Sequence, residues 1–261
     1  MRPLCLFNRT QKDRRPIPDR PSRVLRRALH HRPSYLGFLY REEINLEDYV
    51  YRYIPIHRFW EIMESKEIVF MRLRKFEDPF EGFLTKRLFK AAKEDYDSWV
   101  KLRYFLCCTA HRERDHDWRN YTPNRDGVRL KISVNELKKS CKSHGNVCKE
   151  IQYLTSKEVA ELVKKLDRDI YSGKVDDLFF YKRTAFKDEK EFRFSIQTSH
   201  RKSFFGMKIE PEKAIRSLLF DPRMSSKVFE LHKKFILSTW PYLKIGLSNL
   251  YDPERAIQDY L

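Results

Sequence analysis

The chain has 261 residues, 41% hydrophobic and 14% aromatic, which is enough for one sizeable core. Its 35% charged fraction leaves no apolar run near the roughly 18 residues that a membrane helix needs. Five cysteines, odd in number and without a C-x-x-C pair, argue for a reducing compartment and against a disulfide framework.

The net charge of +17 is unevenly spread. Residues 1–36 hold ten Arg and Lys against Asp13 and Asp19, a net +8, and the rest of the chain carries +9. Residues 1–45 therefore read as a basic, Pro- and Arg-rich extension able to meet phosphates, and 46–261 as a single domain. The opening MRPLCLFNRTQKDRR meets charge too soon for a signal peptide, so the cytoplasm is the expected location and no membrane partner is expected.

In chain order, Tyr49–Ile56 alternates aromatic and β-branched residues and predicts a strand, His57–Ser65 has helical spacing, and Glu67–Met71 predicts a second strand. Asp78, Pro79 and Glu81 supply the N-cap, first-turn proline and capping-box carboxylate of a helix starting near Pro79. Tyr104–Thr109 reads as a buried strand. His111–Asn124 reads as a polar loop holding Trp118 and Tyr121, and Gly127–Ser133 as another strand. Thr155–Ile170 is an amphipathic helix with a Thr155/Glu158 capping box, stopped by Gly173.

The stretch Tyr181–Ile196 matters most. Its second half puts Phe192, Phe194 and Ile196 on one face and Glu189, Glu191, Arg193 and Ser195 on the other. That pattern predicts a half-buried strand with two carboxylates and a guanidinium on one surface. The alternative is a salt-bridged face, Glu191 with Arg193 or Lys182, that serves the fold alone. Apolar segments at Phe204–Ile209 and Ala214–Phe220, a helix over Ser226–Thr239 and a strand over Tyr242–Leu247 follow. The fold class is α+β, with mixed, mainly antiparallel sheets and flanking helices.

Other constellations are weaker. Cys141, His144 and Cys148 match no standard zinc spacing, so no metal is assigned to them. Asp188-Glu189-Lys190, with Asp78 upstream, has the residue types of a metal-dependent nuclease. Trp118 and Tyr121 either fold back as core or stack on a base or nicotinamide-type ring.

Several short motifs occur in a recognisable order. These are Y-R-Y at Tyr51–Tyr53, F-x-D-P-F-E at Phe76–Glu81, W-x-x-Y then G-V within Trp118–Val128, and K-x-x-x-F-x-x-E-x-E-x-R from Lys182 to Arg193. I-x-S-L-L-x-x-P around Ile215–Pro222 and S-x-L at Ser248–Leu250 complete the set. Together they resemble the bacterial domain-of-unknown-function family 2971, often found near phage-defence and mobile-element genes, over about Tyr49–Tyr251. Glu77 and Phe186 stand where that family usually has Asn and Trp.

The order Arg52, then Cys107-Cys108-Thr109, then Glu189-x-Glu191 resembles the three-part layout of ADP-ribosyltransferases, with cysteines where serine is usual. The resemblance implies NAD as substrate, Glu191 as the carboxylate that stabilises an oxocarbenium-like ribose, Glu189 on the acceptor side, and Arg52 as a pyrophosphate clamp. It places Tyr53, Thr109, Trp118, Tyr121 and Arg193 along the NAD site. The activity expected is that of a toxin or phage-defence effector acting on nucleic acid (DNA or RNA), with a defence-system protein as further partner. A metal-dependent nuclease and a non-catalytic nucleic-acid-binding or sensor module are the other readings.

Overall fold

The computed structural model describes residues 49–254 except Glu77, Glu94, Arg112, 169–172 and Arg201. The basic extension expected over 1–45 lies outside the described residues, as does Ile170 of the expected Thr155–Ile170 helix.

The described residues form a mixed α/β fold whose sheets are mainly antiparallel. Strands β1 (Tyr49–Pro55), β2 (Glu67–Met71), β3 (Arg103–Thr109), β4 (Gly127–Ser133) and β5 (Val147–Glu150) join β8 (Glu191–Gln197), β9 (Phe204–Lys208), β10 (Ile215–Phe220) and β11 (Lys244–Leu247) in one nine-stranded sheet. Its order is β11-β10-β4-β1-β3-β2-β9, with β8 on the other edge of β3 and β5 outside β8. Only β10 and β11 run parallel in it. The short strands β6 (Gln152–Leu154) and β7 (Tyr181–Arg183) make a separate parallel pair.

The sheet forks at β3. One edge of β3 pairs along its whole length with β8, from Arg103↔Gln197 to Thr109↔Glu191. The other edge is shared: β1 meets it at Tyr51↔Thr109 and β2 at Met71↔Phe105. Between those two points β1 and β2 part, and the opening becomes the wall of a cavity.

Alternation gives the sheet two different faces. On one face Val50, Ile54, Leu106, Leu130, Phe192, Phe194 and Leu218 belong to the main core. That face is covered by α1 (Ile56–Ser65), α5 (Val134–Cys141), α7 (Pro211–Ala214) and α8 (Ser226–Thr239), which insert Phe59, Leu137, Ala214, Phe229 and Ile236. Each fully buried side chain of this size contributes about 1.5–3 kcal/mol.

Over the β3–β8 half of the other face lie α2 (Phe83–Ala92), α3 (Tyr96–Val100), α6 (Ser156–Asp167) and a 3₁₀ turn, Val175–Phe180, with two smaller apolar clusters. β8 is therefore covered on both sides, and Glu191 to Ile196 are all buried. The expectation of a half-buried strand is corrected: the second layer comes from segments whose link to β8 is invisible in local periodicity.

Three further expectations change. The Asp78/Glu81 capping box does not form; α2 begins at Phe83 behind Gly82, whose φ of 78° no capping side chain accompanies. Residues 115–121 form a short helix, α4 (Asp115–Tyr121), rather than a loop. The Tyr181–Ile196 stretch is three pieces: β7, a 3₁₀ turn over Thr184–Glu189, and β8, with left-handed Lys190 (φ 38°) at the joint. By contrast, β2 and α8 have the expected bounds, and α6 carries the Thr155/Glu158 capping box.

Candidate active site

A cavity of about 390 Å³ opens at the fork, within the roughly 300–1,000 Å³ typical of small-molecule sites. Its floor is one row across three strands, Tyr51–Thr109–Glu191, fixed by the registers of β1, β3 and β8. Cys107 and Arg193 form the next row. Tyr53, Asp78, Glu81, Tyr121, Lys182, Phe186 and Glu189 complete the walls.

Arg193 is fully buried, and each of its five donors has an acceptor. Nε and Nη2 donate to Glu191 Oε1 and Oε2 at 2.7 and 3.0 Å. Nη1 and Nη2 donate to Glu81 Oε2 and Oε1, both at 2.9 Å, and Nη1 also donates to the Phe179 carbonyl at 2.8 Å. Such a guanidinium has nothing left to give a ligand. Arg193, expected along the NAD site, lines the cavity as the strut that holds Glu191.

Lys182 is the second strut. From β7 its ammonium reaches Glu189 Oε2 at 2.6 Å, Glu191 Oε2 at 3.3 Å and Glu81 Oε1 at 3.7 Å. Burial works against its charge, but the three carboxylates outweigh burial and raise its pKa. Both ion pairs foreseen for Glu191 as a structural alternative therefore exist.

The two glutamates of E-x-E are driven apart. Burial alone would raise Glu191, yet the Arg193 guanidinium and then Lys182 overcome it and bring the carboxyl down to about 2. Glu189, on the 3₁₀ turn, is raised by burial despite the opposing Lys182. Of the four lone-pair positions on the Glu191 carboxylate, three are taken by Arg193 and Lys182. The Cys107 thiol on the neighbouring row also donates to the Glu191 carboxylate, while Oε1 of Glu189 has no donor among the described residues.

Two more polar atoms lack partners where the cavity needs ligands. Asp78 accepts from the Phe80 amide and from Arg183 through Oδ1, while its buried Oδ2 has no donor. The Tyr53 hydroxyl is buried and unpaired as well. Orphaned buried polar atoms are uncommon in folded proteins, and both of these residues line the cavity.

The other expected residues divide. Thr109 lies on the floor, and its hydroxyl donates to the Glu189 carbonyl at 2.8 Å, so it sets the turn's position. Tyr121, 48% exposed as a residue, lines the wall with its ring stacked 6.4 Å from that of Tyr53. Trp118 does not line the cavity. It is fully buried, edge-on to Tyr53 at 4.7 Å, with its indole N–H on Glu113.

Arg52 shares its face of β1 with Val50 and Ile54, opposite to Tyr51, Tyr53 and Glu191. It borders the cavity only through the fork, where Nη1 donates to the Val69 carbonyl at 3.4 Å. Burial lowers its pKa, and it has no carboxylate partner among the described residues.

Sequence reasoning missed the role of Glu81, because its carboxylate fitted a local capping motif. It also left Lys182 without a catalytic-site role, although the residue stands in the K-x-x-x-F-x-x-E-x-E-x-R motif.

The Cys107 and Cys108 thiols offer no nucleophile. Burial, then the neighbouring Glu191 charge, raises Cys107 well above an ordinary thiol, and burial pushes Cys108 up to about 12. Nor do the nuclease candidates converge. Asp78 pairs with Arg183, while Asp188 and Lys190 point outward and are exposed. Among the described residues no three His, Cys, Asp or Glu side chains are grouped to hold a metal. Cys141, the last residue of α5, is buried in the core, and Cys148 lies on β5. No helix among the described residues is long and apolar enough to cross a membrane.

Fold and site together define a mixed α/β protein with an ion-paired, carboxylate-lined cavity at the fork of its sheet. Residues 118–194 match the model of the protein family of unknown function DUF2971, the family that the motifs resemble. No curated protein matches the chain. Two structures of DarT from Thermus sp. 2.9 are similar to it, one in complex with NAD+ and one in complex with ADP-ribosylated ssDNA. They are 11% and 12% identical, cover 77% of this chain and 95% and 94% of theirs, and have a TM-score of 0.37 each. So slight a likeness decides nothing about activity here.

Proposed function

We propose that the cavity binds NAD, breaks its nicotinamide–ribose bond and transfers ADP-ribose to a nucleic-acid acceptor. The observation that carries this reading is Glu191, a buried glutamate that lines the cavity and is kept ionised by Arg193 and Lys182. An oxocarbenium-like ribose needs such a preorganised negative charge, which costs no reorganisation as positive charge develops.

As the bond from ribose C1′ to the nicotinamide nitrogen breaks, its electron pair leaves with nicotinamide, which departs neutral. Glu191 accepts a hydrogen bond from a ribose hydroxyl and stabilises the cationic ring. An acceptor oxygen or nitrogen then bonds to C1′, and its proton passes to Glu189, whose raised pKa and open Oε1 suit a general base. The unpaired Tyr53 hydroxyl and Asp78 Oδ2 hold polar edges of the nucleotide, and Arg52 meets pyrophosphate at the fork. Phage defence or toxicity is the setting that the family resemblance implies.

The test is nicotinamide release from NAD by the purified chain, with single-stranded DNA, RNA or no acceptor, beside a Glu191→Gln variant. Release by the wild type, lowered at least a hundredfold in the variant, is expected. Equal release from both defeats the reading.

A further inference from the structure

A second, open basin of about 550 Å³ lies at the far end of β1, lined by Tyr49, Glu136, Lys138, Lys139 and Arg216 among others. Lys139 is paired with Glu136 at 2.7 Å. Lys138 and Arg216 are exposed, with no carboxylate at ion-pair distance among the described residues.

The basin is joined to the cavity through the sheet itself. Tyr49 and Tyr51 are same-face neighbours on β1, and Tyr49 belongs to the basin while Tyr51 belongs to the cavity floor. Cations bridge the step. The Lys131 ammonium sits 4.1 Å from the centre of the Tyr49 ring, and the Arg129 guanidinium sits 4.7 Å from that of Tyr51. Arg129 Nε and Nη1 have no hydrogen-bond acceptor among the described residues. By register, Lys131, Tyr51, Thr109 and Glu191 stand in one line across four strands. Three inter-strand steps make that line about 14 Å long.

We propose that this basic track, from Arg216 and Lys138 through Lys131 and Arg129, holds the phosphodiester backbone of the nucleic-acid acceptor while one nucleotide reaches Glu189 and Glu191. The proposal rests on the transferase reading for what happens at the glutamates, but not for the binding itself. Cations interleaved with tyrosines are the elements of single-strand recognition: backbone neutralisation beside aromatic surface.

The experiment is fluorescence anisotropy of short fluorescein-labelled single-stranded DNA and RNA against the full chain, titrated over a series of salt concentrations. The Lys138→Glu/Arg216→Glu variant is compared with Lys227→Glu/Lys234→Glu. The latter carries the same charge change on exposed positions of α8, which lines neither the basin nor the cavity. Both variants are first shown to melt like the wild type.

The track variant is expected to lose about tenfold or more in affinity, with the salt slope reduced by roughly one to two, while the α8 variant changes little. Equal losses in the two variants reduce the effect to net charge and overturn the proposal. So does unchanged binding by the track variant. Poly-glutamate binding that falls in the track variant while oligonucleotide binding does not would assign the surface to an acidic protein. Glu191→Gln separates the two claims: retained oligonucleotide binding with unaltered nicotinamide release sinks the transferase reading and leaves the track standing.

Discussion

Replacing Lys182 by Met removes the ammonium that faces Glu189, Glu191 and Glu81 at 2.6, 3.3 and 3.7 Å. At an effective dielectric constant near 20, each attraction at these distances is about 4–6 kcal/mol before desolvation is counted. Leaving buried charge without its partner costs about 3–5 kcal/mol net. For a chain of this size that lowers Tm by roughly 6–20 °C. The loss carries a pH signature. Glu189 already has a folded-state pKa above its unfolded value, and without Lys182 it rises further. The folded state then binds the extra proton more tightly, so the variant is least handicapped at acidic pH and increasingly handicapped as pH rises through that pKa. Thermal melts of wild type and Lys182→Met from pH 5 to pH 8 measure this directly. Adding Glu189→Gln to Lys182→Met is expected to recover part of the loss. A variant that melts with the wild type at every pH, or a penalty that does not vary with pH, would show that the ammonium is not balancing these carboxylates.

At Gly82, an added methyl group would lie 2.6 Å from the Tyr96 hydroxyl oxygen at a φ of 78°. Gly82→Ala is therefore expected to destabilise by about 1–3 kcal/mol in urea unfolding and to loosen the neighbouring Glu81–Arg193 pair. Trp118→Phe removes one of the two hydrogen bonds on Glu113 Oε1, the Ser248 hydroxyl keeping the other, and is expected to cost about 0.5–1.5 kcal/mol in urea unfolding; nicotinamide release per folded molecule should be unchanged, since Trp118 does not line the cavity. Transfer to an acceptor should rise with pH through a limb above the ordinary glutamate range, set by Glu189 and abolished in Glu189→Gln, because Glu191, at about 2, is ionised throughout; a limb unaltered in that variant would assign the proton to another group.

Elements whose partners lie close in sequence were legible. The alternation of Glu67–Met71 and the stripe of Ser226–Thr239 are local, and so is the Thr155/Glu158 box, whose two residues satisfy each other. Asp78 and Glu81 carry the same local signature, yet Glu81 is drawn off by a guanidinium 112 positions away. No local rule distinguishes the two cases. The α4 helix is hidden for a related reason: among its seven residues only Trp118 and Asp117 are buried, so no stripe announces it. Within the site, the E-x-E spacing was visible, but the turn that carries Glu189, with Lys190 in a left-handed conformation, was not. Parity placed Glu191 and Arg193 on one face, and β8 keeps them there. The same parity, applied to β1, puts Arg52 on the side away from Glu191.

The fork at β3 has a mechanical consequence. Two wings of the sheet are tacked to the same edge of this strand at Thr109 and Phe105, and the stretch between has a neighbouring strand on one side only. A ligand lodged there acts as a splint, bracing β1 against β2 where no strand pairing does so. Occupancy should therefore be readable far from any chemistry, as slower amide exchange along Leu106–Cys108 and Val69, and as a molecule that resists being pulled apart along that seam.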